Sequence, residues 1–274
     1  GVIIKSFSPD FSEVAPSEPV TLTLTVQNVG DADATNVVAE LFTLNPAEWT
    51  GGSFSTLSIG TLVKAVPADK VPGGDWTGQW DLTAPTINVP TKSYTATARV
   101  KYEYQTTASA TLRFITNDYL RSLQPSEQEK AKKNSGIVSQ LSSNAPIKIS
   151  FSASSRPFVL VSSTGSSAFA FQITLTNVGQ GNPFSGSVSG SVTSTNLYHV
   201  TISQPNIAGT NVQITCPSLA SGLDIKLPRG ESKTISCTAT VSGVNNVLEG
   251  GVDVTLTYNY LVDASTSVTI TQQS

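Results

Sequence analysis

The chain is poor in charge. Lys, Arg, Asp and Glu make up 13% of its 274 residues and the net charge is −3, whereas an ordinary globular chain is about one-quarter charged. Its 16 Lys and Arg are scattered, so the concentrated basic footprint of a nucleic-acid binder is missing and no nucleic-acid partner is expected. No apolar run is long enough for a membrane-spanning helix. Methionine is absent even at position 1. Gly1 is therefore expected to be a processed or trimmed end, with a signal peptide one candidate for the missing piece.

Residues that carry chemistry are equally scarce. A hydrolytic triad needs a His near a nucleophile and an orienting acid. The single His, His199, lies in the strand-like alternation NLYHVTI. A zinc site needs three or four ligands from His and Cys, and the chain has one His and two Cys in all. Asp31-Ala32-Asp33 has carboxylates for Ca²⁺ but lacks the further acids and closing Glu of a calcium loop, so an Asx turn is expected there. No phosphate-cradling Gly-rich motif occurs. These absences predict a non-enzymatic protein with no cofactor, metal or catalytic residue. None of the 15 Asn is followed by x-Ser or x-Thr, so Asn-linked sugar is not expected either.

What is present is β-forming. Hydrophobic residues reach 38%, enough for real cores, so the low charge does not signal disorder. Ser and Thr make up roughly a quarter of the chain, against an average composition in which no such excess exists; a surface of this kind suits an extracellular, cell-surface protein. VTLTLTVQNVG (Val20–Gly30) and FAFQITLTNVG (Phe169–Gly179) alternate apolar and polar residues and end in the same Asn-Val-Gly. Alternation over eight residues sets four apolar side chains on one face. The correspondence extends along the chain. Ile3–Ser8 matches Ile147–Ser152 at an offset of 144, and the quoted strands match at 149. Trp80 falls opposite Cys237, and Tyr102–Phe114 aligns with Tyr258–Ile270 at 156. A kept order with a slowly changing offset is the signature of a tandem duplication.

Short strands broken by turn signals predict an all-β chain: two tandem immunoglobulin-like β-sandwich domains joined by a short helical linker. The expected limits are 1–116 and 147–274, with 117–146 between them. Ser126 and Glu129 have capping-box spacing after Pro125, and Asn134-Ser135-Gly136 supplies a stop, so a solvated spacer helix is expected there.

The stretch APSEPVTLTLTVQNVGDADATNVVAELF (Ala15–Phe42) resembles CARDB-type domains and related Ig-like repeats of bacterial and archaeal cell-surface proteins. Pro16–Pro19, Asn28, Gly30, Asp31 and Asp33 stand where that pattern places them, while the second copy lacks the Pro-Glu-Pro lead-in and the acidic pair. The resemblance implies a sandwich fold, an extracellular setting and a role as spacer, adhesin or assembly module without catalytic residues.

Three groups of residues remain as candidates. Cys216 and Cys237 lack the close spacing of a metal or redox pair, so a disulfide between neighbouring strands is expected. It would stabilise by roughly 3 kcal/mol and imply an oxidising compartment or an extremophile source. Trp49, Trp76 and Trp80 offer a sugar platform or core packing; Trp80, opposite Cys237, is expected inside. Val2, Ile3, Ile4 and Phe7 make GVIIKSF apolar on both faces. It reads either as a strand donated to an identical neighbouring subunit or as strand A of its own domain. The function expected is a subunit of a pilus- or thread-like surface filament or S-layer that self-associates. The alternative is a monomeric adhesin or carbohydrate-binding accessory module that recognises surface glycans.

Overall fold

A computed structural model describes residues 1–50, 54–154, 157–160, 165–202, 206–219 and 223–272. Strands dominate. In chain order they are β1 (Val2–Pro9), β2 (Glu13–Val14), β3 (Pro19–Asn28), β4 (Ala34–Leu41), β5 (Leu57–Leu62), β6 (Asp75–Thr83) and β7 (Thr91–Thr116). Two helices follow, α1 (Asn117–Ser122) and α2 (Pro125–Lys133). Then come β8 (Gly136–Ser142), β9 (Ile147–Ala153), β10 (Val159–Leu160), β11 (Ser166–Asn177) and β12 (Asn182–Phe184). The last are β13 (His199–Ile202), β14 (Asn206–Thr210), β15 (Gln213–Thr215), β16 (Leu223–Lys226), β17 (Ser232–Ser242) and β18 (Val247–Thr271).

The all-β reading holds, and the chain forms two compact units, but they are not the two consecutive stretches expected from the duplication. Unit 1 holds residues 1–104, 180–198 and 259–274; unit 2 holds 105–179 and 199–258. The chain thus passes from one unit to the other four times. The limits at 116 and 147 are corrected accordingly: β7, one strand of 26 residues ending at Thr116, already crosses from unit 1 into unit 2 after Tyr104. Its helical stretch, 117–146, belongs wholly to unit 2. The reason lies in composition, since nothing between Thr91 and Thr116 is Gly, Pro, Asn or Asp, the residues that turn a strand back.

In unit 1, β3 lies between β1 and β6, all antiparallel. Val20, Leu22, Leu24 and Val26 are fully buried, and the intervening Thr side chains face outward. The second layer sets β4 between β5 and the first part of β7, with the last part of β18 carrying β12 and the short parallel β2. Ala96, Ala98, Val100, Tyr102 and Tyr104 of β7 are buried, as are Tyr260, Val268 and Ile270 of β18. In unit 2, β11 and β17 pair over eleven residues, flanked by β9 and β15. Phe114, Phe158 and Phe169 form a ring cluster with centroids 4.9–5.5 Å apart.

The duplication reappears as repeated hydrogen bonds. Asn28 and Asn177, both fully buried, end β3 and β11. Asn28 Oδ1 accepts from Gly30 N–H (3.1 Å), and its Nδ2 donates to the carbonyls of Ala32 (2.8 Å) and Leu62 (3.0 Å). Asn177 accepts from Gly179 N–H (3.3 Å) and donates to Leu227 O (3.3 Å). Asn suits both places because it donates and accepts at once; Asp could not donate, and an apolar residue would leave the turn's groups unpaired. Tyr102 OH accepts from Val2 N–H (3.2 Å) as Tyr258 OH does from Ile147 N–H (3.3 Å). Likewise Tyr104 OH takes Ala32 N–H and Tyr260 OH takes Gly181 N–H, both at 3.2 Å. Val2 and Ile147 pair with Asn28 and Asn177, yet Phe7 and Phe151 match at an offset one residue smaller. The register shift between Ile4 and Ser6, a bulge at Lys5, absorbs the difference.

Asn28→Ala and Asn177→Ala are each expected to destabilise by about 1–3 kcal/mol, because each side-chain amide serves buried backbone groups of its turn. Urea midpoints compared with the parent chain check this.

Candidate functional site

The expected disulfide is present. Cys216 follows β15, and Cys237 lies on β17, its paired neighbour, where Thr215 sits opposite Thr238. Cys237 is buried beside the core side chains Ile235 and Ala239, and it pairs with Phe171 as Trp80 pairs with Leu22. The correspondence of Trp80 with Cys237 therefore holds in the pairing register. Reduction, or Cys216→Ser with Cys237→Ala, is expected to cost about 2–4 kcal/mol, read as a lower thermal midpoint in reductant than without it.

Val2, Ile3, Ile4 and Phe7 lie on β1, which pairs with β3 of its own chain: the strand-A arrangement. Val2 is buried, but Ile3 is 37% exposed and Ile4 and Phe7 are half-buried. Phe7 meets Trp80 edge-on, with centroids 6.3 Å apart. The bulge at Lys5 and Pro9 at the strand's end are devices that blunt a sheet edge against further pairing. The β9 edge is served differently. Gln140 Oε1 of β8 accepts from Phe151 N–H (2.7 Å), and Ser142 Oγ accepts from Ile149 N–H (3.3 Å).

The tryptophans do not form an exposed platform. Trp49 and Trp80 are each 1% exposed, so both are core residues, the first packed edge-on against Tyr94. Trp76 lies across Gly78, where a Cβ would come within 2.1 Å of the indole. Alternation on β6 explains Trp80; Trp49 has no strand period around it, so its burial was not legible. Asp33 Oδ1 accepts from Lys64 N–H (2.7 Å), tying two loops of unit 1 together. Burial pushes the Tyr104 hydroxyl up to about 12, its bond from Ala32 opposing and Asp31 and Asp33 reinforcing the rise. His199 opens β13 opposite Lys226. No group of three or more His, Cys, Asp or Glu among the described residues could hold a metal ion, and no described helix is long and apolar enough to cross a membrane.

The helical stretch begins earlier than its sequence signal. α2 starts at Pro125, with Glu127 Oε2 accepting from Gln124 N–H (3.4 Å), so Gln124 and Glu127 replace Ser126 and Glu129 as the capping pair. α1, which carried no signal of its own, is capped by Thr116 Oγ1 accepting from Tyr119 N–H (3.2 Å). Glu127, Lys130, Ala131 and Asn134, one helical stripe, line an open groove of about 510 Å³ in unit 2. Tyr119 and the ion pair of Arg113 with Glu249 (Nε–Oε1 2.8 Å) complete it.

Two ionic contacts in unit 1 carry more weight. Lys101, 1% exposed, donates from Nζ to Glu40 Oε2 (2.9 Å) and Gly190 O (2.7 Å). Arg99 grips Asp263 with both arms, Nε to Oδ1 at 2.8 Å and Nη2 to Oδ2 at 2.7 Å, and this bond raises the guanidinium's already high pKa. Neither contact was legible, because each joins residues remote in sequence.

Among known proteins, no family model and no curated protein matches this chain. Among solved structures, a collagen adhesin from S. aureus aligns over 98% of this chain and 92% of its own, at 9% identity and a TM-score of 0.13, which is no likeness of fold.

Proposed function

We propose that the chain is a non-enzymatic structural protein of the cell surface, a self-associating subunit of a pilus- or thread-like filament or an S-layer. The observation that carries this reading is the interlacing of the chain. Four passages between two units, two of them within continuous long strands, mean that neither unit can be pulled free without tearing strands from their ladders. That suits a part that bears tension better than one that must open around a substrate. The disulfide agrees with an oxidising setting, and the CARDB-like stretch Ala15–Phe42 with a surface role.

Strand donation by Val2–Phe7 would be an exchange on this geometry: β1 would leave its own β3 and take the same register on a neighbour. The second reading, a monomeric adhesin or glycan-binding module, now draws on the groove beside α2, since Trp49 and Trp80 are buried. Negative-stain electron microscopy of the purified protein, with native surfaces as reference, tests the first reading. Regular filaments or sheets are expected; a strictly monomeric species at every concentration, with measurable glycan affinity, would replace it with the second.

A further inference from the structure

The two copies do not merely follow one another; they trade strands. In the first copy the chain leaves unit 1 directly after Tyr104, and residues 105–116 belong to unit 2. In the second it leaves unit 2 directly after Tyr258, and residues 259–271 belong to unit 1. Tyr102 and Tyr258 are the matched residues of the duplication, so the two departures fall within two residues of equivalent places. A self-contained copy would turn back after Tyr104 and lay its last strand along Thr91–Tyr104. Here that place beside β7 is taken by residues 259–271. Ser93 and Thr269 hydroxyls lie 2.9 Å apart, Thr97 and Ser265 2.8 Å apart, and Arg99 holds Asp263. β7 and β18, 26 and 25 residues long, are roughly five times the common strand length, as expected when a hairpin straightens into one strand.

The slot is specific for its occupant. Leu261 and Val262 are buried in unit 1, and the matching residues of the first copy are Gln105 and Thr106; Asp263 is matched by Thr107. The first copy's own strand would bury an amide and leave Arg99 without its carboxylate. In unit 2, Thr106 is in its proper place, donating to Ile147 O (2.8 Å) and meeting Tyr258 OH (3.0 Å). Only residues 259–271 satisfy the slot in unit 1, and they do so equally well from any molecule of this chain.

We propose that this slot is an interaction surface for residues 259–271 of a second copy of the chain, and that molecules join head to tail by exchanging this strand. The contacts made within one molecule and between two are identical, so protein concentration, set against the effective concentration of the tethered strand, decides the balance. Each molecule has one slot and one strand, a heterologous pairing that extends into an open chain or closes into a ring. This deepens the assembly reading above and rests on it for its setting.

Two full-length variants test it. Arg99→Asp sets Asp against Asp263, and Asp263→Arg sets Arg against Arg99, so each weakens its own strand in place. Mixed, the Arg99→Asp slot accepts the Asp263→Arg strand, and light scattering is expected to show mixed species associating at least about tenfold more tightly than either variant alone. If the mixture remains two monomers, the proposal is overturned. Should a variant fail to fold, Ser93→Cys with Thr269→Cys gives a second readout. Oxidised after incubation at high concentration, it is expected to give a ladder of linked chains on a non-reducing gel; links confined within single chains would overturn the proposal. The two readings separate in the assembled state. Filaments that form unchanged when this link is closed within each monomer beforehand keep the structural role but refute strand exchange. Mixed species from the charge-reversed pair without filaments in the parent protein keep the exchange and refute the filament.

Discussion

A polypeptide of residues 1–116 is expected to be unfolded, although it contains the whole first copy. Unit 1 takes Phe184, Val188, Tyr260, Leu261, Val262, Val268 and Ile270 from beyond that limit, all buried. At about 1.5–3 kcal/mol for each fully buried apolar side chain, their loss removes roughly 10–20 kcal/mol of gross stabilisation. A domain's entire stability is about 5–15 kcal/mol. The fragment also loses Asp263 from Arg99 and leaves β7, from Ala96 to Tyr104, paired with β4 on one side but without β18 on the other. Residues 105–116 cannot replace it, for the reasons of side chain given above. Far-ultraviolet circular dichroism and amide dispersion check this. A cooperative unfolding transition in the 1–116 fragment would show that the first copy is self-sufficient and the interlacing incidental.

The second large effect is expected at Lys101. Lys101→Ala removes the ammonium from Glu40 and from the carbonyl of Gly190, and empties the volume of the stem beyond Cβ. Breaking a buried pair by deleting one partner costs about 3–5 kcal/mol, because the remaining charge keeps its desolvation penalty and loses its compensation. Glu40, whose side chain is 24% exposed, can recover part of that from water. Removing both charges while keeping volume is a different perturbation, so Lys101→Met with Glu40→Leu is expected to recover most of the loss. Urea denaturation of the parent, the single variant and the double variant decides the matter. A double variant no more stable than Lys101→Ala would mean that the contact with Gly190, not the charge pair, is what matters there.

Local patterns carried what local patterns can. The alternation of Val20–Val26 and of Phe169–Leu175 announced strands with one buried face, because the strand period is two whatever the neighbours are. The recurrence of Asn-Val-Gly marked two turns built on a buried Asn, and the match of Trp80 with Cys237 placed both inward. The cysteine pair closed between β17 and the residue that follows its neighbour β15, as its spacing suggested. Trp80 is buried as its place opposite Cys237 indicated, whereas the platform reading failed at Trp49 because a large aromatic ring outside a clear alternation says nothing about which side of it meets solvent. A helix was found where its signal lay, but inside unit 2 rather than between two domains, and its start lay two residues earlier, since a Gln side chain before Pro125 left no distinct mark.

The sequence by itself determined the strands, the duplication, the turns and the disulfide, each a matter of periodicity or spacing within a short stretch. Only the tertiary structure decided which copy each strand completes. The alternation that makes Gln105–Thr116 a strand is the same whether the chain turns back after Tyr104 or runs straight on. The choice rests on partners remote in the chain, 164 residues away for Arg99 with Asp263, 176 for Ser93 with Thr269 and 89 for Lys101 with Gly190. Those contacts form only when distant segments are brought together, and they turn two repeated sandwich sequences into two units that complete one another.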